Sequence, residues 1–94
     1  MKTYEEILRE ADAYVEKNFP NRHKGYDGRD FLRELMQDGE GGPELDETGL
    51  SHTWFFIPSK YDNFASRIDQ WDKPVYDEDG DIEDWETVGY DIIK

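Results

Sequence analysis

From Asp69 to Asp91 the chain alternates charge with apolar bulk so closely that few structures can hold it. The stretch reads DQWDKPVYDEDGDIEDWETVGYD. Its acids are Asp69, Asp72, Asp77, Glu78, Asp79, Asp81, Glu83, Asp84, Glu86 and Asp91, and Lys73 is the cation that answers them. Trp71, Val75, Tyr76, Ile82, Trp85, Val88 and Tyr90 are threaded between. A disordered acidic tail is poor in such anchors, because it buries nothing. A solvated helix would not carry acids on every side. The pattern predicts a folded acidic surface, held down by buried aromatic side chains, as the part of the molecule that functions.

The rest of the chain supplies a small core for that surface. At 94 residues it is long enough for one domain, 1–94, of modest stability. Three Trp, six Tyr and five Phe compensate, since each aromatic side chain buries a large apolar area. The absence of cysteine excludes disulfides and thiolate metal sites. No run is long or apolar enough to cross a bilayer, and the opening residues Met1 to Glu6 do not form a secretory signal. A reducing cytoplasm is the expected location. The formal net charge is -13, and nearly all of it lies in one half. Residues 1–36 carry seven Lys/Arg and eight Asp/Glu, whereas residues 37–94 carry four and sixteen. Such a charge opposes direct contact with nucleic acid or anionic membrane and favours a basic protein surface. Solubility alone does not require the asymmetry.

Taken in order, Thr3-Tyr4-Glu5-Glu6 is a capping box, followed by apolar residues at Tyr4, Ile7, Leu8, Ala11, Tyr14 and Val15. That spacing predicts a helix over about 4–18, closed by Pro20. Arg22-His23-Lys24 is a basic cluster in the connector beyond it. Asp27 caps a second helix, about 28–38, with Phe31, Leu32, Leu35 and Met36 as its apolar stripe and Gly39 beyond its end. Residues 39–49, rich in glycine and acids, read as a mobile acidic loop. Ser51 to Ile57 is β-branched and aromatic, which predicts a strand over about 52–57 covered on both faces. Trp54, Phe56 and Ile57 are its expected core residues, with Phe31, Leu35, Phe64 and Ile68 packed nearby. Tyr61, Phe64, Ala65, Ile68 and Trp71 keep helical spacing, so a third helix is expected over about 60–72, ended by Pro74. Asp79-Gly80 is a favoured hairpin turn, with strands at about 75–78 and 87–93; residues 81–86 suit either a strand or a helical turn. The fold class is α+β: a small antiparallel sheet of about three strands with two to three helices mainly on one face.

Three chemistries can be weighed against the acidic stretch. Asp77 to Glu86 resembles part of an EF-hand loop, with Gly80 as the turn glycine and Glu86 in the bidentate position. However, Val75 falls where the first oxygen ligand belongs, and the residues after Glu86 read as a strand, so no metal site is expected. Catalysis lacks its signatures: the acids show no buried-versus-solvated pair, and His23 and His52 stand alone. Neither enzyme activity nor a cofactor is expected. Binding remains. Small, acidic, aromatic-rich single domains resemble the phage-encoded anti-restriction and anti-CRISPR proteins that imitate DNA, and also the immunity proteins and antitoxins that neutralise nucleases. The resemblance is one of composition, covers the acidic half and carries no motif, so it transfers no residue's role. It implies a bacterial host and a basic partner such as a nuclease or a CRISPR or restriction complex.

The chain's own spacing points the same way. Alternate strand residues repeat every ~6.6 Å on one face, and two phosphate steps of one DNA strand advance ~6.8 Å. An extended Asp77, Asp79, Asp81 and Glu83 would thus form a phosphate-like row. The expected partner-binding residues are Asp77, Glu78, Asp79, Asp81, Glu83, Asp84, Trp85 and Glu86, with Trp85 or Tyr76 as the apolar anchor. A calcium-binding or small-molecule-binding regulator is the alternative of another class.

Overall fold

A computed structural model describes residues 1–94, the side chain of Pro43 apart. Thr3 and Glu6 exchange both hydrogen bonds of the capping box and start helix α1, Tyr4–Asn18. Its buried face is Ile7, Ala11 and Val15, the i, i+4, i+8 row that a 3.6-residue turn aligns. Asp27 caps helix α2, Gly28–Leu35, by accepting from Arg29 N and Asp30 N. Gly28 is needed where the helices cross, since a Cβ there would collide with Asp12 N. The same approach lets Gly28 N donate to Asp12 Oδ1 at 2.7 Å. Helix α2 ends at Leu35 and not at 38. Gly39 is already pressed against the sheet, and a Cβ on it would meet Thr53 Cγ2 at 2.6 Å.

Four antiparallel strands come next in simple up-and-down order: β1 Glu40–Leu45, β2 Ser51–Phe56, β3 Arg67–Tyr76 and β4 Ile82–Ile93. An isolated bridge from Lys2 to Tyr90 adds a further rung on the outer side of β4. The molecule is therefore α+β, with one strand more than expected.

Two elements differ in kind from the expectation. The third helix over 60–72 is absent. In its place is one 3-10 turn, Ser59–Tyr61, then a short connector and β3. Phe64, Ala65 and Ile68 do keep helical spacing, but Phe64 and Ala65 are buried from the connector. Ile68 is buried from the strand, hydrogen-bonded on both sides by β2 and β4. Tertiary pairing outweighs local periodicity here. Pro74 does not end an element; it sits in β3 beyond Asp72, the last β3 residue with a β2 partner. A missing amide costs nothing on an open edge. The supposed loop 39–49 holds edge strand β1, irregular between Gly41 and Leu45. Gly41 and Gly42 both take positive φ, and a Cβ on Gly41 would strike the Trp54 ring. Asp46 then closes the β1–β2 turn by accepting from Thr48 N, Thr48 Oγ1 and Leu50 N. These bonds, the Thr48 hydroxyl's first, hold its carboxyl below the usual range.

The core lies between the helices and one face of the sheet. Phe31 is its centre, with the rings of Tyr14, Tyr61 and Phe64 at 5.1, 5.1 and 5.2 Å. Ile7, Leu32, Phe55, Ile68 and Tyr90 complete it. Phe31, Leu35, Phe64 and Ile68 are buried as expected, but the β2 assignment is reversed. Phe55 is 7% exposed and Phe56 is 66% exposed. Trp54 is only half-buried, and Ile57 packs at the margin. Strand alternation explains the reversal: Phe55 pairs with Ile68 and faces the helices, while Trp54 and Phe56 oppose Asp69 and Arg67 on the open face. The sheet is thus covered on one face only by helices.

Candidate functional site: an acidic β-arm

Strand β2 accompanies β3 only as far as Asp72, yet β3 and β4 continue to a turn at residues 77–81. Residues 73–86 therefore leave the sheet as a two-stranded arm, and they help give the molecule its long shape of 52 × 24 × 20 Å. The arm holds seven carboxylates against Lys73. Lys73 is already engaged, at 3.6 Å from Glu86. An isolated ribbon of two strands has little stability of its own; this one is rooted in a four-stranded sheet.

Register divides the arm into two faces. Lys73 opposes Glu86 and Val75 opposes Asp84, so Asp84 and Glu86 share one face. Pro74 opposes Trp85, and Tyr76 opposes Ile82, which places an apolar row on the other face. Tyr76 and Ile82 are exposed, at 54% and 44%, and Trp85 is half-buried. A register shift between Val75 and Tyr76 leaves Glu83 as the extra residue of a bulge. Residues 81–86 belong to strand and its approach, not to a helical turn.

The tip is a tight turn. Asp77 N donates to Asp81 O at 2.8 Å, Gly80 N to Asp77 O at 3.2 Å, and Gly80 takes φ 83°. Asp77 Oδ1 accepts from Asp79 N and from Asp81 N, each at 2.9 Å. Asp77 is thereby spent on the turn, while Glu78, Asp79, Asp81, Glu83, Asp84 and Glu86 stay exposed. The expected straight row through Asp77, Asp79, Asp81 and Glu83 does not form, because the chain reverses between them. Asp84 and Glu86, two residues apart on one face, are the pair that keeps the ~6.6 Å strand repeat. The segment that resembles an EF-hand loop is flanked by strands, not helices.

Two constellations escaped the reading of the sequence. On the open face, Asp69 is 3% exposed and bonded to two cationic-type partners. His52 Nε2 lies 2.9 Å from Oδ1, and Arg67 donates to Oδ2 from Nη2 at 3.1 Å and from Nε at 3.3 Å. The His52 ring stacks flat on Trp71 at 4.7 Å, with 2° between planes. On the helix-side face, beyond the helices, a cleft of about 490 Å³ opens at the root of the arm. Ser51, Thr53, Gln70, Asp72, Thr87 and Trp85 line it, with glycines of β1 at one side. Arg67, Asp69 and Trp71 alternate with Ile68, Gln70 and Asp72, so both groups become visible once 67–76 is read as a strand. The basic cluster makes local contacts: Arg22 donates to Phe19 O and Tyr26 O, and His23 Nδ1 lies 3.0 Å from Lys24 O.

Comparison with family models, curated proteins and solved structures finds no significant match. Among the described residues no helix is long and apolar enough to cross a membrane. Function is read from the site's own chemistry.

Proposed function

We propose that the protein is a non-catalytic inhibitor that enters the basic nucleic-acid groove of a nuclease or defence complex, with the arm's carboxylates standing in for phosphates. Support comes from one observation above all: residues 73–86 project from the sheet with seven carboxylates against one paired lysine. A protruding acidic ribbon meets a groove where a flat surface would not. Long-range attraction to a basic groove speeds and orients association. Tyr76 and Ile82, exposed on the opposite face of the arm, supply apolar contact, which carries more binding energy than rim charges do.

The test is affinity capture from a bacterial lysate on the immobilised protein, then displacement of the retained protein by duplex DNA. A nucleic-acid-binding protein released by DNA is the expected result. Retention unaffected by saturating DNA would place the contact away from the partner's nucleic-acid groove and end the proposal.

A further inference from the structure

The cleft at the root of the arm contains a carboxylate whose surroundings are incomplete in a specific way. Asp69 and Asp72 belong to the same strand. Asp69 has both His52 and Arg67 within ion-pair distance. Asp72 is half-buried and has only neutral donors: Gln70 Nε2 at 3.1 and 3.2 Å and Thr87 Oγ1 at 2.7 Å. Among the described residues no cationic group pairs with it, and the adjacent Lys73 goes to Glu86 instead. Gln70 spreads one amide over both oxygens, and a carboxylate offers about four acceptor directions, so acceptor capacity remains.

From this geometry we infer that the cleft is a receiving pocket for a guanidinium, specifically the side chain of an arginine carried by the basic partner; this rests on the inhibitor reading above. Four features converge. Asp72 presents a carboxylate whose remaining outer lone pairs can accept charge-assisted bonds from a guanidinium, Gln70 Nε2 holding the position between its two oxygens. Trp85 supplies an indole wall, the best aromatic surface for a cation. Ser51, Thr53 and Thr87 add hydroxyls able to accept the remaining N–H groups. The arm above carries six further exposed carboxylates, whose field draws a cation in and repels phosphate or carboxylate ligands. At about 490 Å³ and largely open to solvent, the cleft has room for the tip of one side chain and does not enclose a free ligand. A lysine ammonium fits less well, because it is a strongly hydrated point charge with no planar face to stack. The partner is thus expected to present arginine, and not merely positive charge, at this position.

The test uses the intact protein and Nα-acetyl-arginine amide as the probe. The readouts are the Trp85 indole N–H and the Gln70 side-chain amide in nitrogen–proton correlation spectra. Nα-acetyl-lysine amide and methyl glucoside serve as comparisons, and Trp85→Phe assigns the indole signal. Saturable shifts at both groups with the arginine amide are expected, several-fold weaker with the lysine amide and absent with the glucoside. Asp72→Asn should weaken the arginine probe about tenfold or more, the scale of a charged hydrogen bond. If Asp72→Asn does not fold, Thr87→Val and Trp85→Phe, which spare the carboxylate, should each weaken the probe several-fold. Shifts spread along the arm and unchanged in these variants would overturn the pocket, as would no saturation at tens of millimolar or a preference for the glucoside. Capture by the wild-type protein separates the two proposals: DNA-sensitive capture together with an arginine probe that fails to bind overturns the pocket alone, whereas capture insensitive to saturating DNA ends the inhibitor reading whatever the probe does.

Discussion

Phe55 and Phe56 are neighbours in the chain with opposite environments, and truncating each in turn measures which face of β2 the core occupies. Phe55 is 7% exposed and opposes Ile68 beneath the helices, whereas Phe56 is 66% exposed and opposes Arg67 on the open face. Phe55→Ala removes a buried ring and leaves a cavity, at a cost of about 3–5 kcal/mol. A domain of this length has roughly 5–14 kcal/mol in total, so the loss is a large share of the whole. Phe56→Ala removes a ring that already meets water, and the change should stay within about 0.5 kcal/mol. Urea melts of the two variants and the wild type, monitored by far-ultraviolet circular dichroism, give the comparison directly. The midpoint should fall sharply for Phe55→Ala and hardly move for Phe56→Ala, with an unchanged slope in the latter. Equal losses, or a larger loss for Phe56→Ala, would refute the face assignment. A one-residue slip exchanges the two faces of a strand completely.

Other consequences concern the helix pair and its margin. Gly28→Ala forces a methyl against Asp12 N, so the helices must part; a loss of about 1–3 kcal/mol is expected on the overpacking scale, read from a thermal melt. The Tyr26 hydroxyl is pushed up to about 12, first by burial and then by its hydrogen bond to Glu34. Its native form therefore holds a proton that the unfolded chain releases near pH 10. The stability it contributes is complete below pH 10 and is lost as pH rises toward 12. Burial also raises Tyr14 and Tyr90, so ultraviolet phenolate titration should show several late tyrosines in the folded protein, and the step near pH 12 should disappear in Tyr26→Phe.

The helices were readable because their signals are local. A capping box and an i, i+4 apolar row need no knowledge of what lies across the chain. The hairpin turn at Asp79-Gly80 was readable for the same reason, since Gly80 supplies the positive φ itself. The middle of the chain was not. Tyr61, Phe64, Ala65 and Ile68 fit a helical period, and nothing local says that β2 and β4 will claim Ile68 from both sides. Strand β1 was hidden by its composition, because glycines and proline suit a loop until β2 provides a ladder. The acids of the arm were found by content, but their arrangement depended on where the chain turned. Asp77 looked like one charge among several, and it proves to be the residue that holds the turn. The Asp72 cleft was invisible because its lining comes from all four strands.

The most direct test of the acidic arm as the interface is the affinity of the captured partner for a protein in which Glu83, Asp84 and Glu86 are all changed to Lys. Asp77 is left in place so that the turn keeps its two amide bonds, and a native circular-dichroism spectrum establishes the fold. Titrations at several salt concentrations compare this variant with the wild type. The wild-type complex should weaken steeply as salt rises, and the variant should lose binding even at low salt, where like charges would meet inside the groove. A folded variant that binds the partner as tightly as the wild type, with the same salt dependence, would contradict the assignment of the interface to the arm.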